Sequence, residues 1–283
     1  MLKFDEAFWI DYKKYLVSLN QSHHTIRNKI QHAKRFYFVL QTQDAHSLLT
    51  LSKETRSHAM KSLSSLSKYL GQYDDWQKLI KRFQLKWEQK DSLDTFKRIF
   101  ENNEESYNHI LEWIKTTSGK LPSEYANAIV FNTLTGLRPD ESLKSINLIK
   151  SNSLDRYMDS QKLLLYHYQF PEIFLRVSKK AFITILNNRI LELAYATPTN
   201  LNYAKLRKKM KKFGIPMHLY YCRKVFATYL RNRGIESEII DLLQGRISSS
   251  VFVNHYYRPD IKEIITKRIR PVLDELMKEI MYS

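Results

Sequence analysis

An apolar residue recurs every three or four positions along most of this chain, and that helical period is what most constrains its fold. Over residues 4–20 it aligns Phe4, Phe8, Trp9, Tyr12, Tyr15, Leu16 and Leu19 on one side of a helix. Ser22 then stands as an N-cap before Ile26, Ile30, Ala33, Phe36, Tyr37 and Leu40, predicting a second helix over 25–40. Residues 44–51 are turn-prone, 52–70 and 74–85 read as further helices, and the four form a small bundle. Polar residues 88–92 read as a linker, so the expected domains are 1–90 and 91–283.

From Leu93 the period resumes through Phe96, Ile99 and Phe100, then Tyr107, Ile110, Leu111 and Ile114. A break at 118–122 precedes Ser123, which can cap a helix carrying Ala126, Ile129, Val130 and Leu134. Around 161–185 the pattern changes to short apolar or aromatic runs at 163–168, 174–177 and 181–185. These suit two or three short antiparallel strands, with Pro171 at a turn or edge. Helical periods return at 190–194, 203–213, 221–231, 236–243 and 261–280. With 6 Gly and 7 Pro in 283 residues, the expected class is mainly α (α+β), a helical bundle followed by a mostly helical domain with one small antiparallel sheet.

Hydrophobic residues make up 43% of the chain, which excludes a disordered composition, and the net charge is +17. Residues 1–90 hold 16 Lys and Arg against 8 Asp and Glu, and the remainder holds 30 against 21, so the excess is spread over both halves. A polyanionic partner such as nucleic acid fits this charge. The single cysteine, Cys222, rules out an internal disulfide and a Cys-rich zinc site. No apolar run reaches the roughly 18 residues of a membrane span, and Asp5, Glu6 and Asp11 do not suit a signal peptide. A soluble, cytoplasmic, DNA-associated protein is expected.

The chemistry-bearing residues concentrate between Tyr220 and Tyr257. Tyr220 and Arg223 lie three apart on one helix face, and Arg231-Asn232-Arg233-Gly234 ends that helix. Gly245 closes the next helix and leaves Arg246 on backbone that can approach a ligand; His255, Tyr256 and Tyr257 follow. Far upstream, Thr-Gly-Leu-Arg-Pro-Asp-Glu places Arg138 after an apolar helix, with Pro139 opening the next helix and Glu141 able to pair with a cation. Arginines supply paired donors to phosphate oxygens, and a tyrosine hydroxyl can attack phosphorus. There is no P-loop, no Cys/His zinc spacing and no acidic cluster suited to two metals, so neither a cofactor nor a metal is expected.

In this order, Thr-Gly-Leu-Arg-Pro-Asp-Glu, a Lys-bearing hairpin, Tyr-Tyr-Cys-Arg-Lys-Val-Phe-Ala-Thr-Tyr-Leu, Leu-Leu-Gln-Gly-Arg and His-Tyr resemble the catalytic domain of tyrosine recombinases, closest to the integrases of archaeal viruses and plasmids. The resemblance covers about residues 95–260, and the N-terminal bundle is similar in size and charge to the family's core-binding domain. It implies that Arg138 and Arg223 are the first and second catalytic arginines. Tyr220 stands where bacterial members carry histidine and would donate a hydrogen bond to phosphate, with His218 two positions out of register. Arg246 takes the place of another histidine. The nucleophile implied is Tyr256, with Tyr257 as the alternative, and the hairpin lysine is Lys179, with Lys180 and Arg176 as alternatives.

The implied activity is site-specific strand exchange through a covalent 3′-phosphotyrosine and a Holliday junction, integrating or excising a mobile element. A Xer-like chromosome dimer resolvase and a catalytically silent DNA-binding regulator are the competing readings. The implied partners are double-stranded attachment sites and a homotetramer assembled on them. Backbone contacts are expected from Arg27, Lys29, Lys34 and Arg35, and from the basic run with Lys205, Arg207, Lys208 and Lys209. The C-terminal stripe of Ile261, Ile264, Ile265, Ile269, Val272, Leu273, Leu276 and Ile280 either covers its own domain or docks on a neighbouring protomer.

Overall fold

A computed structural model of the 283-residue chain describes residues 4–87, 106–176, 179–247 and 252–281. It divides into two units, Met1–Glu101 and Asn102–Ser283, each with its own apolar core. The expected linker at 88–92 and the period at Phe96, Ile99 and Phe100 lie outside the described residues.

The first unit is the expected bundle. Helix α1 (Glu6–Ser18) is capped by Asp5, whose Oδ1 accepts from Phe8 N at 2.9 Å, and α2 (His23–Phe36) by Ser22. α5 (Lys53–Tyr69) is capped by Ser52, and α6 (Tyr73–Arg82) completes the bundle. The serines of residues 62–67 explain how α2 and α5 come close: Ser62 and Ser65 are buried, and their small side chains admit the neighbouring helix. The predicted helix over 25–40 is broken at Tyr37, where bonding shifts to the tighter Leu40 N–Tyr37 O and a short α3 (Phe38–Thr42) follows. The Tyr37 ring lies 4.5 Å from Phe4 at that break, a tertiary contact that the periodicity does not encode. The turn-prone stretch holds a one-turn helix, α4 (His46–Leu49), started by Asp44 Oδ1 accepting from His46 N.

In the second unit, α7 (Tyr107–Lys120) leads into α8 (Ser123–Thr135), which is buried on nearly every side. Pro122, not Ser123, holds its N-cap position. α9 (Pro139–Ile149), α12 (Asn188–Ala196), α14 (Tyr220–Asn232) and the C-terminal α17 (Arg270–Met281) also pack on α8. Between α9 and α12 come α10 (Leu154–Tyr157), α11 (Pro171–Phe174) and five short strands. β1 (Met158–Asp159), β2 (Leu164–Tyr166) and β5 (Ile183–Ile185) form an antiparallel sheet in the order β1-β2-β5. β3 (Leu175–Arg176) and β4 (Lys179–Lys180) form a separate ribbon, pairing Arg176 with Lys179. Pro171 sits at the first position of α11, not at a strand turn or edge; its fixed φ suits a helix start, and that turn separates β3 from β2.

The remaining helices are α13 (Tyr203–Lys212) and α15 (Ser237–Leu243), a wide π turn at Phe252–Tyr256, and α16 (Ile261–Glu263). A second wide π segment, Ile264–Ile269, bridges α16 to α17 just before Pro271, whose missing N–H would leave a gap in a tighter ladder. The tail's stripe is buried within its own unit: Ile265, Ile269, Val272, Leu273, Leu276 and Ile280 all belong to that core. No helix among the described residues is long and apolar enough to cross a membrane.

A buried polar chain fixes the sheet to α9. Tyr157 donates to Ser145 Oγ at 2.8 Å, His167 Nδ1 lies 2.7 Å from the Tyr157 hydroxyl, and His167 Nε2 lies 2.8 Å from Thr184 Oγ1. With the Tyr157 proton given to Ser145, donor counting makes Nδ1 the protonated nitrogen and lets Nε2 accept from Thr184. Burial pushes the His167 imidazole down to about 3, so it folds neutral. The unfolded chain, with an ordinary value near 6.5, binds the extra proton, and stability falls as pH drops from about 6.5 toward 3. Between pH 7 and pH 5 this group alone should cost about 2 kcal/mol. Thermal unfolding should therefore show wild type losing about that much more than His167→Gln over the same interval.

Candidate active site

Three helix boundaries meet in the second unit. α8 ends at Gly136, whose φ of +62° is left-handed, and Arg138 follows as the N-cap of α9. Arg138 N donates to Glu141 Oε2 at 3.3 Å while its Nη1 lies 3.0 Å from Glu141 Oε1. The Glu141 carboxylate is fully buried at the acid-favouring first turn of α9. Its Oε1 also accepts from Arg176 Nη2 at 2.5 Å, so one carboxylate oxygen holds two guanidinium groups.

Arg223, one turn into α14, is the link between the boundaries. Its Nη1 donates to Gly136 O at 2.9 Å and its Nη2 to Gln244 O at 2.5 Å, tying the turn before Arg138 to the turn before Arg246. Gln244, itself buried, returns a bond from Nε2 to Arg223 O at 2.9 Å. Burial, followed by the neighbouring Arg138 and Arg246, pushes the Arg223 guanidinium down to about 10, with Glu141 and Asp241 opposing. It remains charged at neutral pH. A half-buried cation among like charges and short of carboxylates is the electrostatic signature of a site for an anion.

Arg246 is exposed, lies 3.3 Å from Asp241 Oδ1, and follows Gly245 at φ +70°. The hairpin closes this edge: Lys180 O accepts from Arg138 Nη1 at 3.0 Å. Lys179 and Lys180 are both exposed. Direct cross-strand partners project to the same face of a ribbon, so Lys179 shares the face of Arg176, which reaches Glu141; Lys180 pairs with Leu175 and alternates to the other face.

The two tyrosines differ. Tyr256 is 72% exposed, whereas Tyr257 is half-buried, with its N–H bonded to Phe252 O and its ring on the core. Burial first, then the Glu236 and Glu238 carboxylates, push the Tyr257 phenol up. No contact among the described residues joins Tyr256 to the arginines. Tyr220, at the first position of α14, is exposed, with Lys224 Nζ 4.9 Å from its ring centre. His218 stacks on Tyr221 and meets Trp113 and Tyr220 edge-on.

Of the expected DNA contacts, Arg27, Lys34 and Arg35 are exposed on α2. Lys29 instead turns inward: its Nζ reaches Ser65 Oγ at 3.3 Å, and burial with nearby Lys68 lowers its pKa. On α13, Lys205, Arg207 and Lys208 are exposed, and Lys209 lies 4.5 Å from the Tyr125 ring centre. Tyr125, Lys205, Lys208, Lys209, Lys211 and Lys212 line an open groove of about 680 Å³. Gln244 is the site residue that sequence reasoning missed; an amide between Leu243 and Gly245 at a helix end was the available signal.

Gly245 carries the tightest fit. A Cβ there would lie 1.7 Å from Lys180 O, which is backbone and cannot swing away, so a side chain would force the hairpin off the Gln244–Arg246 turn. Gly214, also left-handed at φ +66°, has nothing within 4 Å of its virtual Cβ. Gly214→Ala should therefore lose about 1–2 kcal/mol from backbone strain alone. Gly245→Ala should lose clearly more in the same thermal unfolding measurement, and equal losses would show that the hairpin does not press on this turn.

A comparison with curated proteins returned no match. A family model described as archaeal phage integrase matches residues 103–262, a span that takes in Arg138, Arg176, Lys179, Arg223, Arg246 and both tyrosines. Covering more than half of the chain, that match settles the family: the protein belongs to the archaeal phage integrases.

Proposed function

We propose that the protein is a site-specific DNA recombinase that breaks and rejoins strands through a covalent 3′-phosphotyrosine, exchanges duplexes through a Holliday junction, and integrates or excises a mobile element. The observation that carries this reading is the pair of hydrogen bonds from Arg223 to Gly136 O and Gln244 O, which gathers Arg138, Arg223 and Arg246 around one cationic site. Family membership supports recombination as the reaction.

In this mechanism the scissile phosphate takes the place facing the three arginines. Their donors neutralise the non-bridging oxygens as charge grows in the pentacoordinate transition state. Tyr256 Oη forms a bond to phosphorus, its proton leaving to solvent, and the bond to the 5′ oxygen breaks. Lys179, on the face of the ribbon that Arg176 shares, gives a proton to that oxygen. Tyr220 donates a hydrogen bond to the phosphate. Attack by the partner strand's 5′-hydroxyl reverses the step, so phosphodiester energy is retained in the protein–DNA bond. Tyr256 is favoured over Tyr257 because it is exposed, while burial and two carboxylates keep Tyr257 protonated. DNA binding brings Tyr256 to the phosphate, and a homotetramer assembles on double-stranded attachment sites. Arg27, Lys34, Arg35 and the lysines of α13 contact the backbone.

A nicked suicide duplex carrying the attachment repeat from the DNA flanking the gene tests these roles. Tyr256→Phe should abolish the covalent adduct and Tyr257→Phe should keep it; the opposite pattern would move the nucleophile by one residue. Arg223→Lys keeps a cation but loses the rigid planar fork whose two nitrogens reach the two carbonyls. Its single-turnover cleavage should fall by about 10²–10³-fold, as when a transition-state donor is lost, and a rate near wild type would reject the clamp.

A further inference from the structure

The ribbon that carries Lys179 has two residue pairs, Leu175 with Lys180 and Arg176 with Lys179. A two-stranded ribbon is marginally stable in water without outside support, so its orientation is set by what fastens it. At its base lie the buried Phe174 and Ala181, joined by Ala181 N donating to Phe174 O at 3.0 Å. On the β4 side Lys180 O accepts from Arg138 Nη1. On the β3 side Arg176 Nη2 crosses to α9 and donates to Glu141 Oε1 at 2.5 Å. That carboxylate also accepts from the backbone and side chain of Arg138 and caps the first turn of α9. The Glu141 side chain is 1% exposed and that of Arg176 41%, so the carboxylate is the anchor and the ribbon is what it holds. Arg176 and Lys179 share one face of the ribbon, but their chemistry differs. A guanidinium keeps its protons in proteins, the more so beside a carboxylate, whereas a lysine ammonium can give one up.

We infer that Arg176 is a positioning residue for Lys179: its bond to Glu141 holds the ribbon so that the Lys179 ammonium meets the leaving 5′ oxygen. Cross-strand partners have Cβ atoms about 5 Å apart, so fixing Arg176 fixes where the Lys179 side chain starts. In the step it serves, the bond from Tyr256 Oη to phosphorus forms and the bond from phosphorus to the 5′ oxygen breaks. One Lys179 ammonium proton passes to that oxygen, and Arg176 touches none of the reacting atoms. The role of Lys179 rests on the recombinase reading, whereas the anchoring of the ribbon by Arg176 does not.

The test uses the full chain and two nicked attachment-site duplexes, one ordinary and one with sulfur in place of the scissile 5′ oxygen. A thiolate leaves without being protonated, so the sulfur duplex removes the need for Lys179 while keeping every demand on the arginines. On the ordinary duplex Lys179→Ala should slow single-turnover cleavage by about 10²-fold or more, the scale of general-acid catalysis. Arg176→Gln should slow it by about tenfold, the scale on which neighbouring residues couple. On the sulfur duplex both variants should cleave nearly as fast as wild type. Adding Arg176→Gln to Lys179→Ala should cost nothing further on either duplex. An Arg176→Gln loss that is equal on both duplexes, or that multiplies with that of Lys179→Ala, overturns the positioning role, as does no loss at all. If wild type forms no adduct on either duplex, the recombinase reading fails, and amide exchange still decides the anchor. The Ala181 amide should exchange several-fold faster in Arg176→Gln, and an unchanged rate overturns the anchoring.

Discussion

Arg223 holds the candidate site together. Its side chain bonds to Gly136 O and Gln244 O, carbonyls that lie 87 and 21 residues away in sequence. Each belongs to a turn that exposes another arginine, so fixing the turns fixes Arg138 and Arg246. A lysine could carry the same charge but not the same fork, because only a planar guanidinium presents two donors at a set separation. The two glycines complete the arrangement. At Gly136 a Cβ would strike the Phe226 ring on α14, the helix that carries Arg223, and at Gly245 it would strike the Lys180 carbonyl.

Electrostatically, the site is an arrangement of cations kept deliberately short of counter-charge. Glu141 is fully buried, and both Arg138 and Arg176 share its Oε1. One carboxylate thus positions two guanidinium groups without neutralising both. Burial first, and then the neighbouring Arg138 and Arg246, lower the Arg223 pKa, so the two arginines act on it as uncompensated like charge. A phosphate diester, with one negative charge and two non-bridging oxygens, would relieve it.

Much of this was legible in sequence because the signals are local. Helix periods, the cap at Ser22, and the glycines before Arg138 and Arg246 act over a few residues, and they set out the helices and put each of those arginines just past a helix end. What sequence could not supply was long-range. The Lys180 carbonyl under Arg138 is 42 residues distant, and the bond from Gln244 to Arg223 O spans 21 residues. Tyr37 broke a regular period because its ring meets Phe4, and Lys29 turned inward because Ser65 is small enough to admit it. The amphipathic tail was ambiguous by nature: a stripe specifies that a face is buried but not against what, and here it is buried against its own unit.

The central claim is that a tyrosine of this chain becomes joined to DNA at a site clamped by Arg138, Arg223 and Arg246. Its most direct measurement is the chemical identity of the bond trapped on a nicked attachment-site duplex, read by nuclease and protease digestion followed by tandem mass spectrometry. The account requires a single phosphotyrosyl linkage from Tyr256 to a DNA 3′ end, with a free 5′-hydroxyl on the released strand. A linkage to a 5′ end, a linkage through serine, or cleavage that leaves no protein attached would contradict it.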